Sequence, residues 1–326
     1  MAWYVARRVL NYSVLLFVAT SGAYLLASVA LNPYADYARA NPPLDPSVVE
    51  TMMRQANLSH QVPLLERYWD WLGGVLRGDW GCSPTGASVT EQLALRVGVS
   101  LRLVAAGTLG GIVAGVAVGA WTATRQRAPS DRLITFLSLL IVCTPAFVVG
   151  LTVQLLAIRV NDWTGTRFFE FVGQSGQVGA YPLAGLVDRL QHLLLPTVVL
   201  VLLGGASLGR VQRSLMLDAL AADYVRTARA KGLTRSRAVL RHALRTALIP
   251  TTTYIAFTVA TMVTAGVYTE TVFSFPGLGS YLVESLARGD ANGVTAVTAV
   301  SGLCVAVGAI LSDIALALLD PRVTLR

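Results

Sequence analysis

Long uncharged stretches separate short charged ones along most of this chain. A helix that crosses a bilayer needs about 20 largely apolar residues, and its own hydrogen bonds satisfy the backbone polar groups in lipid. Six uncharged stretches of 20 to 26 residues meet that requirement: Val9–Leu31, Leu103–Thr124, Leu133–Ile158, Leu190–Gly209, Ala247–Thr269 and Ala291–Ser312. The pattern therefore predicts an all-α membrane protein with six transmembrane helices, and the even number places both termini on one side.

The composition agrees with that pattern. Hydrophobic residues make up 54% and charged residues 13% of the 326 residues, with a mean hydropathy of +0.58, whereas a soluble domain carries about 25% charged residues. These values exclude a disordered chain, a disulfide-rich secreted scaffold and an ordinary soluble enzyme. The net charge of +8 does not indicate nucleic-acid binding, because so little of the chain can form an aqueous surface.

Basic residues set the predicted orientation, since loops rich in Arg and Lys stay in the cytoplasm. One set of alternate loops holds 16 basic residues in 67 positions, and the other set holds 10 in 123. The basic set comprises 1–8, 125–132, 210–246 and 313–326. Both termini are therefore predicted to be cytoplasmic. A cleaved signal peptide is the alternative for the first stretch, which exceeds the roughly 7–15 apolar residues of such a segment.

Residues used in catalysis or metal binding occur without a recognisable spacing. The three cysteines are scattered and the three histidines have no ligand-like spacing. The only lysine, Lys231, follows an alanine, so the chain has no Gly-Lys-Ser/Thr loop for phosphate binding. We therefore predict no catalytic residue, no metal site and no cofactor in this chain. Uphill transport would need ATP hydrolysis by another polypeptide, or an ion gradient.

A glycine pattern marks the second uncharged stretch. Gly107, Gly111, Gly115 and Gly119 recur every four residues and so lie on nearly one face of a helix. Small residues on one face let a second helix approach to backbone contact. We predict a close helix-packing surface here, rather than a dinucleotide-binding loop, which needs a preceding strand.

The basic loop 210–246 carries the strongest local pattern. Asp218 or Asp223 can cap a short helix, and Gly232 can take the left-handed position that ends it. A second helix would follow, with stripes of arginine and leucine on neighbouring faces: Arg237, Arg241, Arg245, Leu240, Leu244 and Leu248. Such a helix suits the membrane surface, with its basic side chains toward lipid phosphates. The alternative is a loop whose charge only fixes orientation.

At this loop the chain resembles the permeases of binding-protein-dependent ABC importers, and within them the dipeptide/oligopeptide group (oligopeptide permease B type). Five motifs in the family's order carry the likeness: Asp223–Leu233 with Ile249-Pro250, Gly78-Asp-Trp-Gly81 with Ser83, His192-Leu-Leu-Leu-Pro196, Glu270–Gly279 and Asp320-Pro-Arg322. There are two departures. Arg226 stands where other ABC importers have a glutamate, a form common in the peptide group, and Gly289 interrupts a usual Arg-Asp pair.

The resemblance implies a type I ABC importer permease fold in the inner (cytoplasmic) membrane. Residues 1–96 would form a transmembrane helix with an extracytoplasmic scoop, and residues 97–326 a five-helix transmembrane domain containing the coupling loop. The implied partners are a second, homologous permease subunit, one or two ABC ATPase subunits that bind Mg-ATP, an extracytoplasmic peptide-binding protein and membrane lipid. A packed cap without a partner is the alternative interpretation of the scoop.

The resemblance also assigns residues to two roles. Coupling to the ATPase falls on the loop motif, in which small alanines would let the partner approach: Asp223, Tyr224, Arg226, Ala228, Arg229, Lys231, Gly232 and Leu233. The pathway candidates lie in the threonine-rich fifth stretch: Thr253, Phe257, Thr261 and Thr264. Threonine hydroxyls can contact peptide groups, or can bond back to the carbonyls of their own helix.

The resemblance leaves the substrate open among several classes. Short peptides are the predicted cargo, and nickel chelates, glutathione and sugars are the alternatives. An ion-coupled secondary transporter is more distant, because such carriers bury ionisable groups within their spans, and the uncharged stretches contain none. A membrane-embedded enzyme would need a constellation of His, Asp or Glu at one depth, which the sequence does not show.

Overall fold

The computed structural model describes residues 2–38, 44–173, 175, 182–260 and 262–319. Within these ranges the chain is helical apart from turns, loops and one antiparallel bridge between Cys82 and Ser88. The helices are α1 (Ala2–Ala30), α2 (Ala35–Ala38), α3 (Pro46–Gln55), α4 (Leu64–Val75), α5 (Val89–Thr124), α6 (Pro129–Cys143), α7 (Ala146–Thr164), α8 (Pro182–Ala221), α9 (Asp223–Ala230), α10 (Arg235–Ala238), a π-helix (Val239–Leu244), α11 (Arg245–Ala260), α12 (Met262–Val272), α13 (Leu278–Ala287) and α14 (Ala291–Leu319).

Five helices in the described ranges are long and apolar enough to cross a membrane: Ala6–Ala30, Val89–Thr124, Ala146–Thr164, Gly185–Ala221 and Ala291–Ile310. They overlap five of the six predicted stretches and confirm a multi-pass helical membrane protein. The remaining predicted stretch, Ala247–Thr269, is occupied by α11 and α12, and residue 261 between them lies outside the described residues.

The third predicted stretch is not one continuous helix. It breaks after Cys143, where Thr144 has an extended backbone with φ −89° and ψ 134°. Proline clashes with a helical conformation of the residue before it and has no N–H to donate, so the first helix ends before Pro145, which takes the N-cap position of α7. That helix runs to Thr164 and ends at Gly165, whose φ is +65°. A single helix over Leu133–Ile158 was therefore a wrong prediction, for a reason visible in the local sequence.

Two compact units divide the described chain. The first comprises Met1–Arg102 with Ser274–Ala306. In it Tyr24 of α1 stacks on Trp71 of α4, with ring centroids 4.4 Å apart, so the end of the first span is covered by the α4 segment. The Asn292 amide donates to the carbonyl oxygens of Ala56 (2.8 Å) and Cys82 (2.9 Å), which attaches the start of α14 to this covering layer.

The second unit comprises Leu103–Phe273 with Val307–Arg326. Helix α8 is its centre, because it packs against α6, α7, α11 and α12 as well as α9 and the π-helix. One apolar cluster joins the end of α5 to α8, α9 and the start of α11, with buried members that are mostly alanine: Ala123, Met216, Ala219, Val225, Ala228, Ala238, Ala243 and Ala247. This cluster holds the basic loop against the helices.

Candidate coupling surface and pathway

The short helix of the basic loop, α9, starts at Asp223, one residue earlier than it would if Asp223 were its N-cap. Ala222 occupies the N-cap position with an extended backbone and makes no side-chain cap bond. Asp223 is therefore the first residue of the helix, rather than its cap. Its carboxylate still lies in the first turn, where a negative charge interacts favourably with the helix dipole. The Asp223 side chain is 95% exposed and lies 3.7 Å from Arg226.

The end of α9 forms a Schellman motif at Gly232. The Gly232 N–H donates to Arg229 O (3.0 Å), and the Leu233 N–H donates to Ala228 O (3.2 Å). Gly232 has φ +89°, which glycine adopts without the strain of a Cβ atom. The predicted left-handed stop is confirmed. Leu233 then packs, half-buried, against the alanine-rich cluster.

Helix α9 has an inner and an outer face. Val225 and Ala228 are buried in the alanine-rich cluster, so Ala228 serves the chain's own packing, whereas the sequence analysis expected it to admit a partner. The side chains of the outer face are exposed: Asp223, Tyr224, Arg226, Thr227, Arg229, Ala230 and Lys231. The loop therefore presents a charged ridge, mainly basic, on a base that is fixed by apolar packing.

The second part of the loop is less regular than predicted. After Thr234, which takes the N-cap position without a side-chain cap bond, α10 makes one turn and the chain continues as a π-helix before α11. Arg237, Arg241 and Arg245 are exposed, as expected for the basic stripe. Leu240 is 64% exposed. The extra residue per turn of a π-helix shifts the stripes relative to those of one continuous α-helix.

An ion pair fixes α8 to the start of α6. Arg213 donates from Nε to Asp131 Oδ1 (2.8 Å) and from Nη2 to Asp131 Oδ2 (2.9 Å). The backbone N–H of Arg127 also donates to Asp131 (3.0 Å). The Arg213 guanidinium beside it holds the pKa of the Asp131 carboxyl below its ordinary range. The sequence does not reveal this pair, because the two residues are 82 positions apart and lie in separate predicted loops.

The four glycines of α5 all face α8. A Cβ atom on Gly107 would lie 2.5 Å from the Leu200 side chain. At Gly111 and Gly115 the nearest backbone atoms belong to Gly204, Gly205 and Gly209 of α8, and at Gly119 they also belong to Gly209. Glycines on α8 thus complement the strip on α5. A sequence feature that could have identified the partner helix is the set of glycines at positions 204, 205 and 209.

The pathway candidates lie on α11 and α12. Thr253 and Phe257 are exposed on α11, Phe257 to 70%. Thr264 lies on α12, and the structure describes only its backbone; Thr261 lies outside the described residues. Their role in lining a pathway stays a prediction.

Other threonines of α11 bond to their own helix. The hydroxyl of Thr252 donates to Ile249 O (2.7 Å), and that of Thr258 donates to Tyr254 O (2.8 Å). Thr251 is fully buried, and its hydroxyl oxygen lies within hydrogen-bonding distance of Ala247 O (2.8 Å) and of the side chain of Gln212. For these three residues the alternative interpretation, back-bonding within the helix, is confirmed.

These elements define a multi-pass helical membrane protein with a packed, charged loop helix. Residues 111–325 match the family described as binding-protein-dependent transport system inner membrane component, and the chain belongs to that family. It is 44% identical, over 99% of both chains, to the oligopeptide transport system permease protein OppB of Mycobacterium tuberculosis (strain ATCC 25618 / H37Rv).

Two further relatives are similar over most of the chain. Identity is 34% to the oligopeptide transport system permease protein AppB of Bacillus subtilis (strain 168), over 80% of this chain and 81% of that protein. It is 32% to the dipeptide transport system permease protein DppB of Lactococcus lactis subsp. cremoris (strain MG1363), over 88% of each.

Proposed function

We propose that this chain is a membrane-spanning permease subunit of an ATP-driven ABC importer that takes up short peptides. It would form half of the translocation pathway, with a homologous second permease forming the other half. An extracytoplasmic binding protein would deliver the peptide. One or two ABC ATPase subunits would bind Mg-ATP, because the chain itself carries no phosphate-binding lysine motif. The names of the relatives support peptides over nickel chelates, glutathione or sugars.

The observation that carries this proposal is the two-faced build of α9. Its inner face, Val225 and Ala228, is buried in the alanine-rich cluster, and its end is fixed by the Schellman turn at Gly232. Its outer face presents exposed charged side chains, mainly basic. A short helix held in this way can transmit the movement of a docked partner to α8 and α11. A loop that only fixed orientation would need neither the packing nor the turn.

The proposal also carries an orientation. The loop with α9 would face the cytoplasm of the inner membrane, with both termini on that side, as the distribution of basic residues favours. The scoop within residues 1–96 would face outward and receive the binding protein, and residues 97–326 would hold the transmembrane domain. The exposed Thr253 and Phe257 of α11 would line the pathway.

Reconstituted transport tests the proposal. The chain is co-expressed with its homologous permease, ATPases and binding protein, and uptake of labelled di- to pentapeptides into vesicles is measured with ATP supplied at the ATPases. We expect uptake that disappears when the P-loop lysine of the ATPases is replaced by alanine. Uptake that survives this replacement but stops when a proton or sodium gradient is dissipated would show an ion-coupled carrier instead. Import of a nickel chelate, glutathione or a sugar without peptide import would correct the substrate.

A further inference from the structure

A cleft opens in the second unit between the end of α5, the end of α8 and the basic loop. It consists of two adjoining grooves of about 780 Å³ and about 520 Å³. Both grooves are lined by Thr124, Arg125, Arg235 and Val239, which makes them continuous. The coupling proposal uses the outer ridge of α9, which shares Arg229 with this cleft, and gives the other lining residues no role.

The larger groove is strongly basic. Four arginines line it, Arg125, Arg127, Arg229 and Arg235, and none of its lining residues, all within the described ranges, is acidic. The carboxylate of Asp131, which accepts the Arg127 backbone N–H, is already paired with Arg213. The groove therefore has an excess of positive charge that a bound anion would neutralise.

Two of these arginines are held in place at the junction of the grooves. The Arg125 guanidinium carbon lies 4.6 Å from the centre of the Trp121 ring, a cation–π distance. Arg235 donates from Nη2 to the carbonyl oxygen of Thr124 (3.1 Å). Each guanidinium retains further N–H donors, because arginine has five, and its planar fork matches the oxygens of a phosphate group.

The smaller groove is mainly apolar and follows α5 into its membrane-crossing part. It is lined on α5 by Val116, Ala117, Ala120 and Trp121, and on the facing elements by Met216, Val239, Leu240 and Leu244. Trp121 is 39% exposed, and tryptophan is enriched where a span meets the headgroup region. The apolar surface thus begins at the level of the arginines and continues toward the interior of the bilayer.

We propose that this cleft binds one anionic phospholipid. Its phosphate group contacts Arg125 and Arg235, and one acyl chain lies in the apolar groove against Ala117 and Leu240. A soluble anion would account only for the basic groove, and a neutral lipid only for the apolar one. Anionic lipids are enriched in the cytoplasmic leaflet. In the orientation proposed above the cleft faces that leaflet, and to that extent the inference rests on the proposed function. The bound lipid would contact the inner side of the coupling loop.

Lipid retention by the intact transporter tests this inference. The complex, with its co-expressed partners, is placed in nanodiscs of phosphatidylcholine with or without phosphatidylglycerol, moved into detergent, and analysed by native mass spectrometry for bound phosphatidylglycerol. The Arg125→Gln/Arg235→Gln double variant should retain it about 30-fold more weakly, since each basic residue near a membrane surface contributes roughly 1 kcal/mol. The Ala117→Leu variant, which fills the apolar groove without changing charge, should also lose retention.

The matched control is Arg54→Gln/Arg77→Gln, which removes the same charge from exposed positions outside the basic loop that do not line the cleft. It should retain phosphatidylglycerol as the unmodified protein does. Equal retention in the two double variants would overturn the proposal. So would displacement of the lipid by millimolar inorganic phosphate with no effect of Ala117→Leu, because the site would then bind a soluble anion. Cross-linking of Arg235→Cys to an ATPase subunit, with no lipid retained, would assign the cleft to that subunit.

The readout is lipid binding and does not depend on transport. A complex that retains the lipid but imports no peptide would leave this inference standing and overturn the proposed function. A complex that imports peptides, with phosphatidylglycerol retained equally by the cleft variant and its control, would support the proposed function and overturn this inference.

Discussion

A Cβ atom added to Gly119 would lie 2.5 Å from the carbonyl oxygen of Gly209. The same atom would lie 3.1 Å from the backbone nitrogen of Arg213. The backbones of α5 and α8 are therefore in contact at this turn of α8. The same turn carries Arg213, whose side chain pairs with Asp131. Since backbone atoms cannot move aside as a flexible side chain can, only glycine fits at position 119.

Replacing Gly119 by alanine should separate the two helices. We expect a loss of unfolding free energy on the order of 2 kcal/mol from overpacking, measured as a lower thermal midpoint of the detergent-solubilised complex. The control is Gly98→Ala on the same helix, where a Cβ atom meets nothing within 4 Å and alanine is the better helix former. Equal midpoints for the two variants would show that α5 and α8 do not pack as described.

Replacing Gly232 by valine should uncouple ATP hydrolysis from transport. The backbone there has φ +89°, with open space around the missing Cβ atom, so the strain lies in the turn and costs about 1–2 kcal/mol. We expect the complex to assemble but peptide uptake to fall sharply, with hydrolysis no longer stimulated by substrate or with the ATPase released.

Gly232→Asn is the matched control, because asparagine tolerates the left-handed conformation better than valine does. It should keep most of the uptake. If Gly232→Val retained normal assembly, stimulated hydrolysis and uptake, the loop would serve only to fix orientation and the coupling proposal would fail.

Arg213→Gln should destabilise the chain by leaving the buried carboxylate of Asp131 without its counter-charge. Breaking such a pair on one side costs on the order of 3 kcal/mol, and the loss should appear in the thermal midpoint. Arg213→Lys keeps the charge but not the two parallel hydrogen bonds, so its thermal midpoint should lie between those of the unmodified protein and Arg213→Gln. A Gln variant as stable as the unmodified protein would contradict this account.

The same pair predicts an acid dependence. Pairing with Arg213 lowers the pKa of Asp131 in the folded state, so its stabilising contribution is complete above the ordinary value of 3.8. It is lost as the pH falls through the lower folded-state value. In Arg213→Gln this component of acid unfolding should be reduced, which a comparison of thermal midpoints between pH 5 and pH 2.5 would measure.

Asp290 predicts the opposite dependence. It is 2% exposed and accepts the Gly293 N–H (2.9 Å) at the start of α14, and burial raises its pKa from 3.8 to about 6. Because the folded state holds this proton more tightly, stability declines as the pH rises from about 4 to 6 and stays lower above that. The difference corresponds to about 3 kcal/mol.

Asp290→Asn keeps an acceptor for the Gly293 N–H and removes the charge. Its thermal midpoint should change less between pH 5 and 8 than that of the unmodified protein, and should be higher at pH 8. Parallel pH profiles for the two proteins would show that the Asp290 carboxyl is not buried as described.

Cysteine scanning tests the pathway assignment on α11. We expect Thr253→Cys and Phe257→Cys to react with a polar thiol reagent in at least one nucleotide state of the assembled importer. Thr251→Cys should stay unreactive, because that position is fully buried. If 253 and 257 react in no state, those positions face lipid or a protein partner, and another helix lines the pathway.

Several features could be predicted from local sequence because local physics fixes them. An uncharged stretch of about 20 residues has few stable locations other than a bilayer, and five of the predicted stretches overlap helices that are long and apolar enough to cross one. Gly232 follows a short polar helix, and glycine is the residue that ends such a helix in a left-handed turn. The break at Pro145 was equally local, and the prediction overlooked it because it counted charge and not backbone donors.

Only the tertiary structure determines which helices and side chains contact one another. The glycine strip of α5 predicts a close neighbour but not which one, and folding selects α8 through Gly205 and Gly209. In the sequence Asp131 and Arg213 are two unrelated charged residues. The packing of α6 against α8 brings their side chains together. The motif around α9 resembles the loop motif of the family, but its period alone does not show that Ala228 faces inward. These contacts join residues far apart in the chain, and their free energy depends on burial that no local pattern records.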